Sequence, residues 1–198
     1  MSIERYRYKN RVRFALLKIG GMMMMDNAIT AEYTQLLDQK IRLEKALAAL
    51  PQGYISKKNL SGKTYYYLQN RSFGKMKSEY LKSDSVEAVS EQIRLRKQFE
   101  AELPVLNIRL VELEQAAQLI GHGLDRKLML LKISAGMDSL PAEQKERSVS
   151  FADAMNAIEG VPASEKTAKG LADWKKGKMS YLSVFETTLQ RYGFGTEV

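Results

Sequence analysis

Cysteine and histidine, two side chains that often perform catalysis or bind metals, are nearly absent from this chain. It contains no cysteine and one histidine, His122, which excludes disulfides, thiolate zinc sites, a cysteine nucleophile and a His-rich metal site. A Ser-His-Asp arrangement would require His122, which lies in a Gly-His-Gly turn predicted between two helices. Acidic pairs such as Glu112 with Glu114 are two positions apart on a predicted helix and do not face each other. The sequence therefore predicts a protein that is not an enzyme and uses no cofactor or metal.

A stretch rich in lysine and tyrosine is the first candidate for binding. Basic and aromatic residues interleave over residues 54–82, where the candidate contacts are Lys57, Lys63, Tyr65, Tyr67, Arg71, Lys75 and Lys77. Cations contact phosphates and aromatic rings stack on bases, so this composition is typical of a surface that binds DNA or RNA. In the competing interpretation, the tyrosines are half buried and the lysines protect the edges of a sheet from pairing.

The second candidate is Glu159, at the end of a predicted helix. At about 100° per residue, Phe151, Met155 and Ile158 form a narrow apolar stripe. Glu159 lies at the edge of this stripe, where a carboxylate can enter a partner's pocket while its neighbours pack. With an arginine it would form a charge-assisted, bidentate pair. In the competing interpretation, Glu159 is a solvated residue at a helix end and Ile158 belongs to an ordinary core.

Two changes of periodicity define the elements that carry these candidates. Apolar residues recur at three- to four-residue spacing over 26–50 and 84–120, and Pro104 is expected to kink or divide the second helix. Residues 53–81 alternate instead in short runs, which predicts a three-stranded antiparallel meander. By alternation, one face of the meander is predicted to hold Tyr66, Leu68, Met76 and Tyr80, and the other Tyr65, Tyr67, Lys75 and Lys77.

These elements predict a mainly α protein with a small three-stranded antiparallel β-meander. An antiparallel helical hairpin would carry the meander and precede a C-terminal module of three short helices. In that module, Ser150, Ser164 and Ser180 are predicted helix caps, and Tyr192 is predicted on the apolar face of the last helix. The predicted domains are a basic N-terminal extension at 1–25, the hairpin at 26–120 with its meander at 53–81, a helix and linker at 121–147 with a hinge at 141–147, and the module at 148–198.

Residues 154–193 resemble the VbhA-type antitoxins of Fic-domain toxins. The shared pattern is a helix that ends in Ile158-Glu159-Gly160, a second helix capped by Ser164, a turn at 177–180 and a third helix that ends near Tyr192. The resemblance covers about a fifth of the chain. It implies an inhibitory helix that binds the cognate Fic-domain toxin.

In that family, a Ser/Thr-x-x-x-Glu-Gly/Asn motif places its glutamate in the nucleotide site of the toxin. There the glutamate pairs with an arginine that would otherwise orient the ATP γ-phosphate, which blocks AMP transfer to target proteins. The resemblance assigns the glutamate to Glu159 and the small residue to Gly160. Met155 occupies the Ser/Thr position, so this chain departs from the motif there and lacks the hydroxyl contact.

A second resemblance covers about thirty residues. The segments 63–71 and 74–81 resemble a tyrosine- and lysine-rich hairpin in uncharacterised bacterial proteins, some of them from mobile elements. Three functions stay open on the sequence. The protein is an antitoxin that blocks the ATP site of a Fic-type toxin, a nucleic-acid-binding accessory or regulatory protein of a mobile element, or a structural coiled-coil adaptor.

The net charge of +8 is concentrated in two segments. Residues 1–21 and residues 51–82 each contain more lysine and arginine than aspartate and glutamate, and their two excesses together exceed the net charge of the chain. The remainder of the chain is therefore slightly acidic. The basic, apolar start imitates a signal peptide, but Lys18 interrupts its apolar run and no cleavage site follows. Since no membrane-length apolar stretch is present either, we expect a cytoplasmic protein without membrane contact.

Overall fold

The computed structural model describes residues 3–72, 74–121 and 123–191, with side chains for 23–72, 74–121 and 123–190. His122 and Tyr192, to which the sequence assigned a turn and a helix face, lie outside the described residues. The protein is mainly helical with one three-stranded antiparallel sheet, as predicted. The elements are α1 (Ile3–Ala49), β1 (Tyr54–Leu60), β2 (Lys63–Ser72), β3 (Lys75–Leu81), α2 (Val86–Ile120), α3 (Leu124–Ser139), α4 (Ala142–Ile158), α5 (Glu165–Lys175) and α6 (Tyr181–Arg191).

The first long helix begins earlier than the sequence predicted, and the second ends at the predicted residue, Ile120. α1 begins at Ile3, so the backbone shows no break at the predicted boundary after residue 25. No proline interrupts the chain before Pro51, and adjacent glycines cost only about 1 kcal/mol each in a helix. Pro104 does not divide α2, which is continuous to Ile120. Pro104 is exposed, so water can reach the carbonyl that its missing N–H leaves without a donor.

The chain forms two compact units, and the boundary between them falls within α1 and α2. One unit comprises Gln39–Arg109, and the other comprises the residues up to Asp38 together with those from Leu110 onward. Each unit has its own buried residues and hydrogen bonds, and each is described by itself.

In the unit of residues 39–109, the end of α1 pairs antiparallel with the first part of α2. Gln39 donates a hydrogen bond to Glu102 at 2.6 Å. Further along α1, the guanidinium of Arg96 donates to the carbonyls of Leu47 at 2.7 Å and Leu50 at 2.9 Å. Because the last carbonyls of a helix have no partner within it, Arg96 caps α1 from the neighbouring helix.

The sheet has the order β1-β2-β3, with tight turns between its strands. Ser61 and Gly62 both have positive φ, 49° and 76°, which is the conformation of a two-residue hairpin turn that follows the twist of the strands. The second turn pairs Ser72 with Lys75. This pairing fixes the register of the whole third strand.

The register shows that the predicted faces of β3 were wrong. Tyr80 lies opposite Tyr67 and Met76 lies opposite Arg71, and directly paired residues share a face. Tyr80 and Met76 therefore lie on the face of Tyr65 and Tyr67. Lys75 and Lys77 lie on the other face, because they pair with Ser72 and Asn70. The prediction failed because a two-residue turn places even positions of β2 on the same face as odd positions of β3.

In the other unit, two groups of apolar side chains are buried. The first joins α1, α2 and α3 through Tyr33, Leu37, Leu110, Leu113, Ala117, Leu124 and Leu128. The Tyr33 hydroxyl donates to Glu114 at 2.5 Å, and Lys132 contacts the same carboxylate oxygen at 2.8 Å. Burial, together with the Glu114 carboxylate, raises the pKa of Tyr33 above its ordinary value. Tyr33 therefore stays protonated and keeps donating to Glu114 across the physiological pH range.

The second buried group holds the C-terminal helices on α3. Val149 of α4, Trp174 of α5 and Val184 of α6 pack together. Asp138 at the end of α3 accepts hydrogen bonds from the indole N–H of Trp174 at 2.7 Å and from the backbone N–H of Tyr181 at 2.9 Å. These bonds fix the start of α6 against α3.

The predicted hinge at 141–147 is wrong, since residues 142–147 form the first turns of α4. Pro141 immediately precedes the helix, and its carbonyl accepts a hydrogen bond from the Lys145 N–H at 3.0 Å. Lys145 is buried, with its ammonium 5.1 Å from the centre of the Trp174 ring. The helix therefore begins at Ala142, before the predicted cap Ser150, and it packs against its neighbours from its second turn.

Substitution of Gly53, at the base of the sheet, should destabilise the protein more than substitution of Gly74. Its φ is +112°, and a Cβ there would lie 2.0 Å from the Gln69 carbonyl oxygen. We expect Gly53→Ala to lower the free energy of unfolding by about 2 kcal/mol or more. Gly74 also has positive φ but open space around it, so Gly74→Ala should cost only about 1 kcal/mol. Urea denaturation of both variants measures this, and equal losses would contradict the expectation.

Candidate functional site

The first candidate surface is an apolar face on α4, which we define as Phe151, Met155, Ile158 and the following Val161. Their side chains are 69%, 41%, 80% and 61% exposed. The two faces of α4 are separated, because Met155 lies about 120° from the buried Val149 at 100° per residue. Packing of Val149 against Trp174 therefore leaves the apolar face of α4 directed away from that core.

The backbone at the end of α4 explains how Glu159 is presented. Gly160 has φ +70°, and its N–H donates to the Ala157 carbonyl at 3.2 Å. The N–H of Val161 donates to the Asn156 carbonyl at 2.9 Å. This pair of bonds is a Schellman ending, which favours glycine because of its left-handed residue. The helix stops one residue after Ile158, and Glu159 lies at its tip.

Glu159 is exposed. Among the residues with described side chains, no cation or hydrogen-bond donor contacts its carboxylate. Its own N–H donates to the Met155 carbonyl at 3.0 Å, so the backbone at Glu159 is ordered as part of the helix end. The four residues that the sequence singled out, Met155, Ile158, Glu159 and Gly160, thus form one continuous patch of α4 and its ending. A carboxylate held in this way can accept bonds from an external guanidinium without first breaking an internal one.

The second candidate surface is the tyrosine face of the sheet. We define it by the residues whose register places them together with Tyr67: Tyr54, Ser56, Lys58, Leu60, Lys63, Tyr65, Gln69, Arg71, Met76, Ser78 and Tyr80. Tyr80 contacts Tyr67 at 5.8 Å between ring centres and Tyr65 at 6.3 Å. The ammonium of Lys58 lies 5.1 Å from the centre of the Tyr67 ring, which is a cation–π distance.

Of the seven nucleic-acid contacts predicted from the sequence, the structure brings four together on this face. Lys63, Tyr65, Tyr67 and Arg71 lie on it, and Lys57, Lys75 and Lys77 lie on the opposite face. The seven predicted contacts did not include Lys58, and the predicted faces separated Tyr80 from Tyr65 and Tyr67. Lys58 could have been assigned to this face from the sequence, because side chains alternate along β1 and β2 and the Ser61-Gly62 turn joins the two strands. The assignment of Tyr80 required the register of the third strand.

The opposite face of the sheet is different in character. It carries the buried Leu81 and the half-buried Ile55, Tyr66 and Leu68, with Lys57, Lys75, Lys77 and Glu79 around them. The sheet therefore directs its buried apolar residues to one side. The tyrosine face is the more exposed aromatic side and has three cations and no carboxylate.

Two kinds of site were not found within the part of the chain that the structure describes. Those residues contain no group of His, Asp and Glu side chains that would hold a metal ion. None of their helices is long and apolar enough to cross a membrane.

A family model matches residues 33–91. The family is described as a domain of unknown function, DUF6788. The match begins in α1, contains the entire sheet and ends in α2, and it covers less than half of the chain. No curated protein and no solved structure matches the chain. The segment that contains α4, α5 and α6 lies outside the matched residues.

If the apolar face of α4 is free of internal partners, replacing it should leave the fold intact. We expect the triple variant Phe151→Gln, Met155→Gln and Ile158→Gln to change the free energy of unfolding by less than about 1 kcal/mol, since exposed sites contribute little and glutamine favours helices. Val149→Ala, on the buried side of the same helix, should cost about 1–3 kcal/mol. Thermal and urea unfolding compare them, and a larger loss in the triple variant would show that the face is packed.

Proposed function

We propose that the protein is a cytoplasmic, non-enzymatic antitoxin that binds a Fic-type AMP-transferring toxin. In this proposal Glu159 enters the ATP site of the toxin and pairs with the arginine that would orient the γ-phosphate. The observation that supports it most directly is the carboxylate of Glu159, which has no partner among the side chains that the structure describes and lies beside four exposed apolar residues. The resemblance of residues 154–193 to VbhA-type antitoxins identifies the class of partner.

The two parts of the patch have different tasks in this mechanism. Desolvation of Phe151, Ile158 and Val161 by the toxin would supply affinity, since apolar burial contributes about 25 cal/mol per Å². Glu159 would supply inhibition, because its negative charge competes with the γ-phosphate for one guanidinium. Gly160 would allow the chain to turn away directly after the glutamate, so that only the tip of α4 enters the site.

Met155 gives this chain a variation on the family's motif. Its side chain lies on the apolar face and is 41% exposed, at the position where the family has a hydroxyl. In the proposed complex, a dispersion contact replaces the hydroxyl contact, and methionine adapts its shape to irregular surfaces at low cost. Inhibition would then depend more strongly on Glu159.

Co-expression with the adjacent gene tests the antitoxin proposal, where that gene encodes a His-Pro-Phe…Gly-Asn-Gly-Arg motif. We expect the wild-type chain to block AMP transfer by the toxin. Glu159→Ala and Glu159→Gln should weaken inhibition by about 10- to 100-fold, which corresponds to the loss of a charge-assisted hydrogen bond. The complex should still form through the apolar face of α4, which a pull-down measures separately.

Asp153→Ala is the matched control for this experiment. Asp153 is an exposed carboxylate on the same helix, and at 100° per residue it lies about 160° from both Phe151 and Met155. Its loss removes the same charge but should leave inhibition unchanged. Unchanged toxin activity in the presence of the wild-type chain would overturn the proposal, as would equal inhibition by wild type and both Glu159 variants.

A second candidate function is nucleic-acid binding through the sheet. The observation that favours it is the charge of strands β1 to β3, which contain six exposed lysine or arginine residues and a single acidic residue, Glu79. Such a regulator of a mobile element could also be an antitoxin, since the sheet and α4 belong to different units.

The salt dependence of binding tests this second function. We expect the full chain to bind a labelled oligonucleotide with a log affinity that falls linearly with log salt concentration, because each phosphate contact releases counterions. Fluorescence anisotropy between 50 and 200 mM salt, with about a tenfold or greater loss of affinity, would support it. Absence of binding at the lowest salt concentration would exclude it.

A further inference from the structure

We propose that the tyrosine face of the sheet is a stacking platform for single-stranded nucleic acid. This inference rests on the second candidate function above and specifies its ligand and its surface.

The rings on this face form a band that crosses all three strands. Tyr80 on β3 contacts both Tyr65 and Tyr67 on β2. Tyr54 on β1 pairs with Gln69, two positions from Tyr67 on the same face. Since neighbouring strands lie about 4.8 Å apart and same-face residues about 7 Å apart, successive rings are spaced closely enough for several bases to contact them at once.

Two of the four rings, Tyr54 and Tyr80, are exposed, and Tyr65 and Tyr67 are half-buried. The side chains of Tyr54 and Tyr80 are 51% and 54% exposed. None of the four tyrosine hydroxyls has a hydrogen-bond partner among the residues with described side chains. Tyr80 packs against Tyr65 and Tyr67 and still leaves about half of its surface accessible to a ligand.

The cations on the same face complement a phosphate backbone. Lys58, Lys63 and Arg71 are all exposed, and the register places no acidic residue on this face. Lys58 and Lys63 lie toward the β1–β2 turn, whereas Arg71 lies at the far end of β2. An extended strand can therefore cross the tyrosines while its phosphates reach a cation at each end.

Stacking distinguishes single strands from duplexes. Bases in a duplex are already stacked and present only their edges in the grooves, which admit a helix or a narrow ribbon. Tyrosine rings on a sheet surface offer planar contacts that any unpaired base can use, whatever its sequence. We therefore expect little sequence preference and a clear preference for unpaired strands.

Anisotropy with the full-length protein tests the ligand class, using labelled oligo(dT), oligo(U) and a duplex of the same length. We expect both single strands to bind at least about tenfold more tightly than the duplex. Tyr54→Ala with Tyr80→Ala should weaken single-strand binding by at least about tenfold, whereas the Tyr→Phe pair should retain it because phenylalanine keeps the stacking surface. Circular dichroism and melting curves verify that each variant folds.

Two triple variants with identical loss of charge test the surface. Lys58→Gln, Lys63→Gln and Arg71→Gln remove three cations from the tyrosine face. Lys57→Gln, Lys75→Gln and Lys77→Gln remove three from the opposite face of the same sheet. We expect the first triple to weaken single-strand binding at least about tenfold more than the second, and to reduce the salt slope by about 2.

The possible results distinguish failure of the stacking platform from failure of nucleic-acid binding altogether. Equal effects of the two triples, or equal binding of duplex and single strand, would overturn the stacking platform while leaving nucleic-acid binding by the protein intact. Absence of salt-dependent binding to every oligonucleotide would overturn both. Binding of vesicles that contain anionic lipid, lost in the tyrosine-face triple without any oligonucleotide binding, would assign the face to a membrane surface and overturn the proposal.

Discussion

The carboxylate of Asp138 is the constraint on which the C-terminal helices depend. It accepts one bond from the indole of Trp174 and another from the start of α6, so a single side chain at the end of α3 positions two further helices. Val149 packs on the same tryptophan, which determines which side of α4 is buried. The apolar face of α4 is exposed as a consequence of this arrangement and not because α4 lacks a core contact. That face is therefore accessible without rearrangement of the module.

The β1–β2–β3 sheet depends on a different constraint, which is the length of its turns. A two-residue connection at 73–74 sets the pairing of Ser72 with Lys75 and thereby assigns every residue of β3 to a face. A turn with one more residue would move Tyr80 away from Tyr65 and Tyr67 and bring Lys75 and Lys77 to their face. The aromatic band exists because of this register.

Local signals predicted the local structure well. Ser164 accepts a hydrogen bond from the Thr167 N–H and Ser180 accepts one from Ser183, as their positions before apolar-periodic segments predicted. Gly160 ends α4 in the left-handed conformation that glycine favours. The three strands and the pairing of the long helices likewise followed from periodicity.

The features that escaped prediction are those that depend on distant residues. Arg96 caps α1 although it is 46 to 49 residues away in the sequence, and Asp138 reaches Trp174 across 36 residues. Such roles cannot be predicted from helix periodicity, because an arginine or aspartate on a helix surface has the same sequence pattern whether it faces water or the end of a neighbouring helix. The hinge at 141–147 failed for the same reason, since Lys145 has the composition of a solvated residue and is buried against Trp174. The polar composition of residues 141–147 therefore indicated exposure, although in the folded protein Trp174 supplies an aromatic partner for Lys145.

The distribution of charge gives the two candidate surfaces different physical requirements. The tyrosine face carries cations only, so long-range attraction to a polyanion would act before contact and would be screened by salt. Beside the apolar face of α4 lies the carboxylate of Glu159, which in the proposed complex would act at short range and only where the apolar side chains exclude water. Recognition at the first surface should tolerate many sequences of one polymer class, whereas the second needs a pocket that fits both its apolar side chains and its single carboxylate. The excess of positive charge in residues 51–82 therefore bears on the sheet, whereas the specificity of α4 would depend on shape and on one carboxylate.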